Sequence, residues 1–396
     1  MTLFRKIFSF GFRVPLFWVV DLCYFTLSKL LKRDPRSALV IRLDAIGDFI
    51  VWQPYARRIY EHLRKNGKKV ILAVDHNNYE LAIASNIADQ VIPINAGRFR
   101  KSLTYRLGIM RRISGLRVSI AIQPTFSRAL LIGDSVVCAS GAQKRIGCRG
   151  DYSNSPRALR WLWDTFYTDL VEIPTALNSE FHKNKAITEK ITGEQLNLEL
   201  AQFDLSGIIN PLTRHKSSKM DSQKYVVLFP GAGWSGRRWP VERFAEITEE
   251  LNHRGLLVVI AGGKSEKDLA DKIRQISRVD LVDLTGSTSL LELMALVRDS
   301  NLVITNETSA VHIAACQQRP AICILGGGHF DRFAPYPKEL EQNYPVLPTF
   351  IWHKMSCYQC NWQCIYPRTV NQAVKCIMEV SLDRVKSALD DQLAFR

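Results

Sequence analysis

From residue 37 onward the apolar positions fall into short runs separated by longer amphipathic stretches. Runs at 38–43, 70–74, 91–94 and 118–122 read as buried strands, and the segments between them carry helical periodicity. The same rhythm restarts with runs at 225–229, 256–261, 281–284, 302–305 and 321–325. Strands alternating with helix-length segments predict parallel sheets with crossover helices, an α/β architecture of two Rossmann-like halves. Residues 151–205 read as mixed and mostly helical. The stretch 213–224 (TRHKSSKMDSQK) is polar and aperiodic, which marks a linker. The expected domains are therefore 37–212 and 225–396.

Residues 1–36 follow another pattern. Leu, Phe, Val and Trp crowd positions 14–31, but Asp21 and Lys29 interrupt them and Arg and Lys flank both sides. A spanning helix requires ~20 apolar residues without central charge, and no small-residue cleavage site follows, so neither a membrane span nor a secretory signal is expected. Aromatics at Phe4, Phe8, Phe10, Phe12, Phe17, Trp18, Tyr24 and Phe25, interleaved with seven cations, suit a helix lying in the lipid interface. The alternative is a helix packed on the domain behind it. The first reading places the protein peripherally on the inner face of the cytoplasmic membrane.

Charge sharpens this picture. The chain has 396 residues and a net charge of +15, with 46% apolar residues, which excludes a disordered or collagen-like chain. Residues 1–150 hold 25 Lys/Arg and 9 Asp/Glu (+16), whereas residues 151–396 hold 28 and 29 (−1). One half is thus expected to meet an anionic partner. Arg98, Arg100, Lys101, Arg106, Arg111, Arg112 and Arg117 form a run without an acid. Sparse aromatics and the lack of an RNA-binding motif there argue against nucleic acid, which leaves a phosphorylated or carboxylated glycolipid or, as the plain alternative, a solvated face. Nine cysteines in this length do not make a disulfide scaffold and fit a reducing compartment. The late series His353-x3-Cys357-x2-Cys360-x3-Cys364-x11-Cys376 leaves three readings open: structural zinc, reduced thiols packing the last helix, or disulfides.

Three segments could carry chemistry. In RLDAIGD (42–48) a strand enters a Gly turn and a helix follows, so Asp44 and Asp48 sit at a strand's carboxyl end, where open α/β sheets bind ligands. Asp48 reads equally as a general base or as a helix N-cap. In FPGAGWSGRRWP (229–240) the glycine loop leads to Arg237 and Arg238, suited to an anionic leaving group, with a solvated turn as the plain alternative. In ITNETSAVHIAA (304–315) Thr308 or Ser309 opens a helix whose free N–H groups could cradle a diphosphate. His312 follows within a turn, as a catalyst or a hydrogen-bonded core histidine. The glycine run 326–328 closes the next strand. The chain contains no Asp-x-Asp, so no metal ligand is assigned.

As an ordered set these segments resemble glycosyltransferase family 9, the heptosyltransferase family. The matching elements are RLDAIGD with Pro54 downstream, the Trp-Pro segment after the glycine loop, and Glu307-Thr-x-x-x-His312 preceded by LTGSTSLLELMALV (284–297). Lys144-Arg145-Ile146-Gly147 is similar to an Arg-Ile-Gly element of the N-terminal half. The resemblance covers roughly residue 38 to the C-terminus. It implies a GT-B fold with the active site in the cleft between two Rossmann-like domains. It also implies inverting, metal-independent sugar transfer from a nucleotide diphosphate, without a cofactor. On that match Asp48 is the general base, and Arg42, Asp44 and Arg145 face the acceptor. Arg237, Arg238, Glu307, Thr308, Ser309 and His312 fall on the donor site. Glu307 stands where heptosyltransferases usually have Asp, and Ser309 where they often have Gly.

The implied partners are a nucleotide-diphosphate sugar (heptose or related), an anionic glycolipid acceptor of lipopolysaccharide, O-antigen or capsule assembly, and a membrane surface. A non-catalytic nucleotide- or glycolipid-binding protein on the same fold is the alternative. An NAD-dependent oxidoreductase comes third. Pro240 puts the helix start after the Arg pair, and the next strand ends Ala261-Gly262-Gly263-Lys264 without an acid for the ribose.

Overall fold

The computed structural model describes residues 2–174, 176–214 and 224–394, with side chains described from residue 14 onward. The chain divides into two compact units, Met1–Asn197 and Leu198–Arg396. The polar stretch read as a linker lies mostly outside the described residues, at 215–223. The division falls earlier than the sequence pattern suggests, because the preceding segment is already tied to the second unit. The Leu200 N–H donates to the Tyr344 hydroxyl, and Asn210 Nδ2 donates to the Tyr225 hydroxyl and to Asp299.

The first unit is a six-stranded parallel sheet, β1 (Asp34–Arg42), β2 (Lys69–Asp75), β3 (Gln90–Ile94), β4 (Val118–Gln123), β5 (Lys144–Cys148) and β6 (Asp169–Val171). Its strand order is β3-β2-β1-β4-β5-β6. The second unit repeats this with β7 (Tyr225–Phe229), β8 (Leu257–Ile260), β9 (Val282–Asp283), β10 (Leu302–Asn306), β11 (Ala321–Ile324) and β12 (Thr349–Ile351), ordered β12-β11-β10-β7-β8-β9. Each sheet therefore reverses direction next to its first strand, between β1 and β4 and between β7 and β10. Such a reversal opens a crevice at the strands' carboxyl ends, because the flanking loops leave toward opposite faces.

The central strands carry unbroken apolar runs, as burial on both faces demands: Leu39, Ile41, Val226, Val227, Leu228, Val303 and Ile304 are all fully buried. Strands β5, β6 and β12 escaped the sequence pattern. The first begins on two cations, and the other two are three-residue edge strands too short to show a period.

Helix α1 (Thr2–Lys29) belongs to the first unit. Val14, Phe17 and Phe25 are buried in a cluster with Leu130, Leu131, Trp163 and Phe166. Asp21, the charge that interrupts the apolar stretch, is wholly buried. It pairs with Arg106, accepts a bond from Ser135 Oγ at 2.6 Å and one from Trp163 Nε1 at 3.2 Å. The described part of the segment therefore packs on the domain along one face, the second of its two sequence readings, and leaves the other face exposed. One expectation is corrected: Arg106 belongs to the core rather than to a cationic surface run. Among the described residues, no helix is long and apolar enough to cross a membrane.

Candidate functional site

In the first unit, β1 ends at Arg42 and α2 (Ile46–Lys65) begins after a three-residue turn. The N-cap position falls to Ala45, which has no side-chain cap bond, so Asp48 is not the N-cap. It is the third residue inside the helix, half-buried in the first turn. Arg42 is 2% exposed and lies beneath the turn. Its Nη1 donates to the Pro124 carbonyl at 2.7 Å and to Asn184 Oδ1 at 3.3 Å, and its Nε lies 2.8 Å from Asp44 Oδ2. Thr125 Oγ1 donates to the same Asp44 oxygen at 3.4 Å, and Asn78 Nδ2 holds the Asp44 carbonyl at 2.9 Å. The turn after β1 and the loop after β4 thus meet at the sheet's reversal point.

Arg145 does not join this group. Near the amino end of β5 it is in register with Ala121, and so with Leu39 of β1, three residues below Arg42, or ~10 Å along the sheet. Its guanidinium is taken up by the carbonyls of Phe166, Ala142 and Gln143. Its assignment to the acceptor is corrected on that geometry.

In the second unit the glycine loop after β7 faces the end of β10. Asn306, fully buried, holds them together: Nδ2 donates to the carbonyls of Pro230 (2.8 Å) and Gly231 (3.2 Å), and Oδ1 accepts from the Trp239 N–H at 3.0 Å. The following helix, Val241–His253, begins after Pro240, beyond the Arg pair, as the sequence suggests. Arg237 donates to the Glu307 carbonyl at 2.5 Å, and its Nη2 lies 3.4 Å from Glu307 Oε1. Its guanidinium stacks over the Trp362 ring at 4.8 Å. Arg238 reaches back to the Ala232 carbonyl at 3.4 Å. Thr308 is the N-cap of the Ser309–Cys316 helix, its side chain accepting from the Ala310 N–H, so Ser309 is the first helical residue.

Glu307 is buried, and burial pushes its carboxyl up to about 7 even though Arg237 and a backbone N–H from Gly326 pull the other way. His312 lies beneath the rim rather than at it. Nδ1 is 2.7 Å from the Tyr336 hydroxyl, the two rings stack 5.7 Å apart, and burial lowers the imidazole to about 4. Of its two sequence readings, the geometry matches the hydrogen-bonded, neutral core histidine.

These two groups give opposite pH dependences of stability. Between pH 4.5 and 7 the folded chain holds the Glu307 proton more tightly than the unfolded chain, so this contribution is lost as pH rises. Between pH 4 and 6.5 the unfolded chain holds the His312 proton more tightly, so that contribution is lost as pH falls. At ~1.4 kcal/mol per pH unit each amounts to about 3 kcal/mol. Relative to wild type, Glu307→Gln should gain about 3 kcal/mol between pH 4.5 and 7, read by urea unfolding. A flat difference curve would exclude a buried acid at Glu307.

Two contributors to the second unit's site were not legible in the sequence. Asn306 looked like an ordinary polar strand end. Trp362 sits inside the cysteine series, and only the fold brings that loop onto the glycine run. Gln359 and Asn361 N–H groups donate to the Gly327 and Gly328 carbonyls at 2.7 and 2.9 Å. A Cβ on Gly328 would come within 2.2 Å of the Trp362 ring, so the run has to be glycine for this approach. Cys357, Cys360, Cys364 and Cys376 line one small cavity beside it with Met355 and Trp362. All nine cysteines are free thiols in this structure. Among the described residues, no three His, Cys, Asp or Glu side chains are grouped to hold a metal ion.

The family model of glycosyltransferase family 9 (heptosyltransferase) matches residues 130–357, more than half of the chain. The chain belongs to that family. This family 9 chain is 33% identical over 117 residues to lipooligosaccharide heptosyltransferase 2 of Haemophilus influenzae, covering 28% of the chain and 34% of that protein. It is 32% identical over 132 residues to lipopolysaccharide heptosyltransferase 3 of Escherichia coli, covering 32% and 38%. The matched stretch spans about a third of the length of these relatives.

Similar solved structures are a family 9 glycosyltransferase from Veillonella parvula (TM-score 0.67, 17% identity, 92% of this chain and 99% of that one) and the E. coli ADP-heptose heptosyltransferase II (0.63, 17%, 91% and 99%). With two like-ordered parallel sheets, the family 9 chain has the GT-B fold expected from its sequence.

Proposed function

We propose that this protein is an inverting glycosyltransferase of lipopolysaccharide or related glycolipid assembly. It moves heptose or a related sugar from a nucleotide diphosphate to an anionic glycolipid acceptor. One observation carries the donor side. Arg237 stacks on Trp362 and pairs with Glu307 at the end of β10, and Arg237 Nε, Glu307 Oε2 and Trp362 Nε1 are among the buried polar atoms without a hydrogen-bond partner among the described residues, as is Arg238 Nε beside them in sequence. Orphaned buried polar atoms are costly, so a cluster of them marks where a polar ligand completes the bonding. The family's heptosyltransferases give the donor class, and an E. coli member was solved with ADP-2-deoxy-2-fluoro heptose.

The chemistry follows from the residues. An acceptor hydroxyl attacks the anomeric carbon opposite the diphosphate, and Asp48 takes its proton as the new bond forms. The carbon–oxygen bond to the diphosphate breaks on the other face, which inverts the configuration. Arg237, Arg238 and the free N–H groups opening the Ser309–Cys316 helix stabilise the departing charge, the work a divalent ion does in Asp-x-Asp transferases. Glu307, half-protonated near neutral pH, can donate to or accept from a sugar hydroxyl. Residues 1–36 and the basic first unit set the enzyme on the cytoplasmic face of the membrane, beside its lipid-linked acceptor.

Calorimetry tests the donor side. Arg237→Ala should weaken nucleoside-diphosphate binding ~10- to 100-fold, the range of a lost charge-assisted pair, and Thr308→Ala should weaken it less. Circular dichroism should be unchanged, and chelators should leave turnover intact. A strict need for added Mg²⁺ or Mn²⁺ would overturn this account of leaving-group stabilisation. Mass spectrometry of glycolipid from a deletion strain identifies the transferred sugar. Complete glycolipid in that strain would favour a non-catalytic binding protein.

A further inference from the structure

Over its described side chains, from residue 14 onward, α1 packs on the domain along one face. Val14, Phe17, Asp21, Phe25 and Ser28 are buried at intervals of three and four. The other face carries Leu16, Val19, Leu22, Cys23, Thr26 and Leu27, continued by Leu30 in the turn that follows, all exposed and all uncharged. Leu27 is 63% and Leu30 82% exposed. At 3.6 residues per turn these seven lie within a sector of ~140°, along ~21 Å of helix. A helix facing water turns its leucines inward and its charges outward. Here the helix's one described acid, Asp21, is inside and the leucines are outside.

The end of this helix opens onto a basin of about 780 Å³ whose lining includes Lys29, Lys32, Arg33, Arg145 and Gln143, and no acid. The two guanidiniums are held by neutral carbonyls: Arg33 by Ser140 (3.0 Å) and Ser28, Arg145 by Phe166, Ala142 and Gln143. Their positions are fixed by these carbonyls, and the carboxylate that acts on either, Asp169 near Arg145, is outside the basin lining. Burial and repulsion from Arg117 both weaken the hold of Arg33 on its proton, as expected in a region of excess positive charge. The basin lies at the amino ends of β1 and β5, at the opposite end of the sheet from Asp44 and Asp48, so it is not part of the site described above.

We propose that this surface is a bilayer-docking site, with the leucine face of α1 in the lipid interface and a phosphate-bearing lipid headgroup in the Lys29–Arg145 basin. The two features adjoin at Lys29–Arg33, so one lipid can satisfy both, its headgroup on the cations and its chains beside Leu27 and Leu30. Charge complementarity selects an anionic bilayer, since each cation close to such a surface raises partition about fivefold. The inference rests on the membrane-facing function proposed above and assigns it to particular side chains.

Co-sedimentation of the full chain with vesicles tests it, using mixed phosphatidylglycerol–phosphatidylcholine and phosphatidylcholine alone. Wild type should bind the anionic vesicles, and less so in high salt. Lys29→Gln/Lys32→Gln should lower that partition about 25-fold and change binding to phosphatidylcholine little. Leu27→Gln/Leu30→Gln should lower both, by roughly tenfold or more. All four side chains are exposed, and circular dichroism confirms folding.

If wild type binds vesicles and neither double variant weakens it, the membrane reading stands and this site is wrong. Failure of wild type to bind either vesicle defeats both. Full competition by soluble glycerophosphate would make the basin a site for a free phosphate ester and overturn the bilayer assignment. A self-associated wild type that Leu27→Gln/Leu30→Gln turns monomeric, read by ultracentrifugation without lipid, would make the face a contact between copies and overturn it too.

Discussion

Asp48→Asn should slow sugar transfer by ~10²–10⁴ while leaving nucleoside-diphosphate binding unchanged, the signature of a lost general base rather than a lost binding contact. The substitution is nearly isosteric. Because Asp48 lies inside α2 and the N-cap position falls to Ala45, the variant should also fold normally. Turnover and binding are therefore separable readouts, by single-turnover kinetics and calorimetry. Near-wild-type turnover would leave Asp44 as the remaining carboxylate at this reversal point. Arg42 and Thr125 already occupy one of the Asp44 oxygens. A change in binding without a change in turnover would remove Asp48 from the chemistry altogether.

Asp21→Ala should destabilise the first unit by about 3–5 kcal/mol, the cost of leaving a buried charge without its partner. The stranded group is Arg106, wholly buried between the rings of Phe17 and Phe99 and also bonded to Ser135 Oγ at 2.6 Å. Replacing both partners, as Asp21→Leu/Arg106→Met, should recover most of the loss, since it removes the desolvated charge together with its counter-ion. Urea unfolding of the three proteins measures the difference. A loss below about 1 kcal/mol for Asp21→Ala would mean that α1 frays from the domain in solution. The same contacts make removal of residues 1–36 a poor test of membrane binding. Truncation would uncover Leu130, Trp163 and Phe166 and would also remove the start of β1.

Much of the fold was legible because central parallel strands are buried on both faces and read as unbroken apolar runs. The strands around 38–43, 225–229 and 302–305 stand where the pattern puts them. Two of the four edge strands were not legible: β6 and β12 are three residues long and leave no periodic trace, whereas the edges β3 and β9 lie at the apolar runs 91–94 and 281–284. The site divides in the same way. Residues adjacent in sequence to strand ends, such as Asp44, Asp48, Arg237 and Thr308, were visible as candidates. Thr125, Asn306 and Trp362 were not, because each acts through contacts with residues distant along the chain.

The sequence by itself determined the α/β class, the two-fold recurrence of the sheet and the family. Each of these depends on local periodicity or on the order of short motifs. Tertiary structure decided which end of the sheet each charged residue serves. Arg42 and Arg145 look alike as isolated basic residues, yet Arg42 closes a strand beside Asp44 and Arg145 opens another at the opposite end. It also decided the meaning of Asp21, which reads in sequence as a blemish in an apolar helix and in space as the ion pair that seats that helix. The physical reason is common to both cases. A charge is defined by its solvation and its counter-ion, and in a folded chain those are set by neighbours tens of residues away.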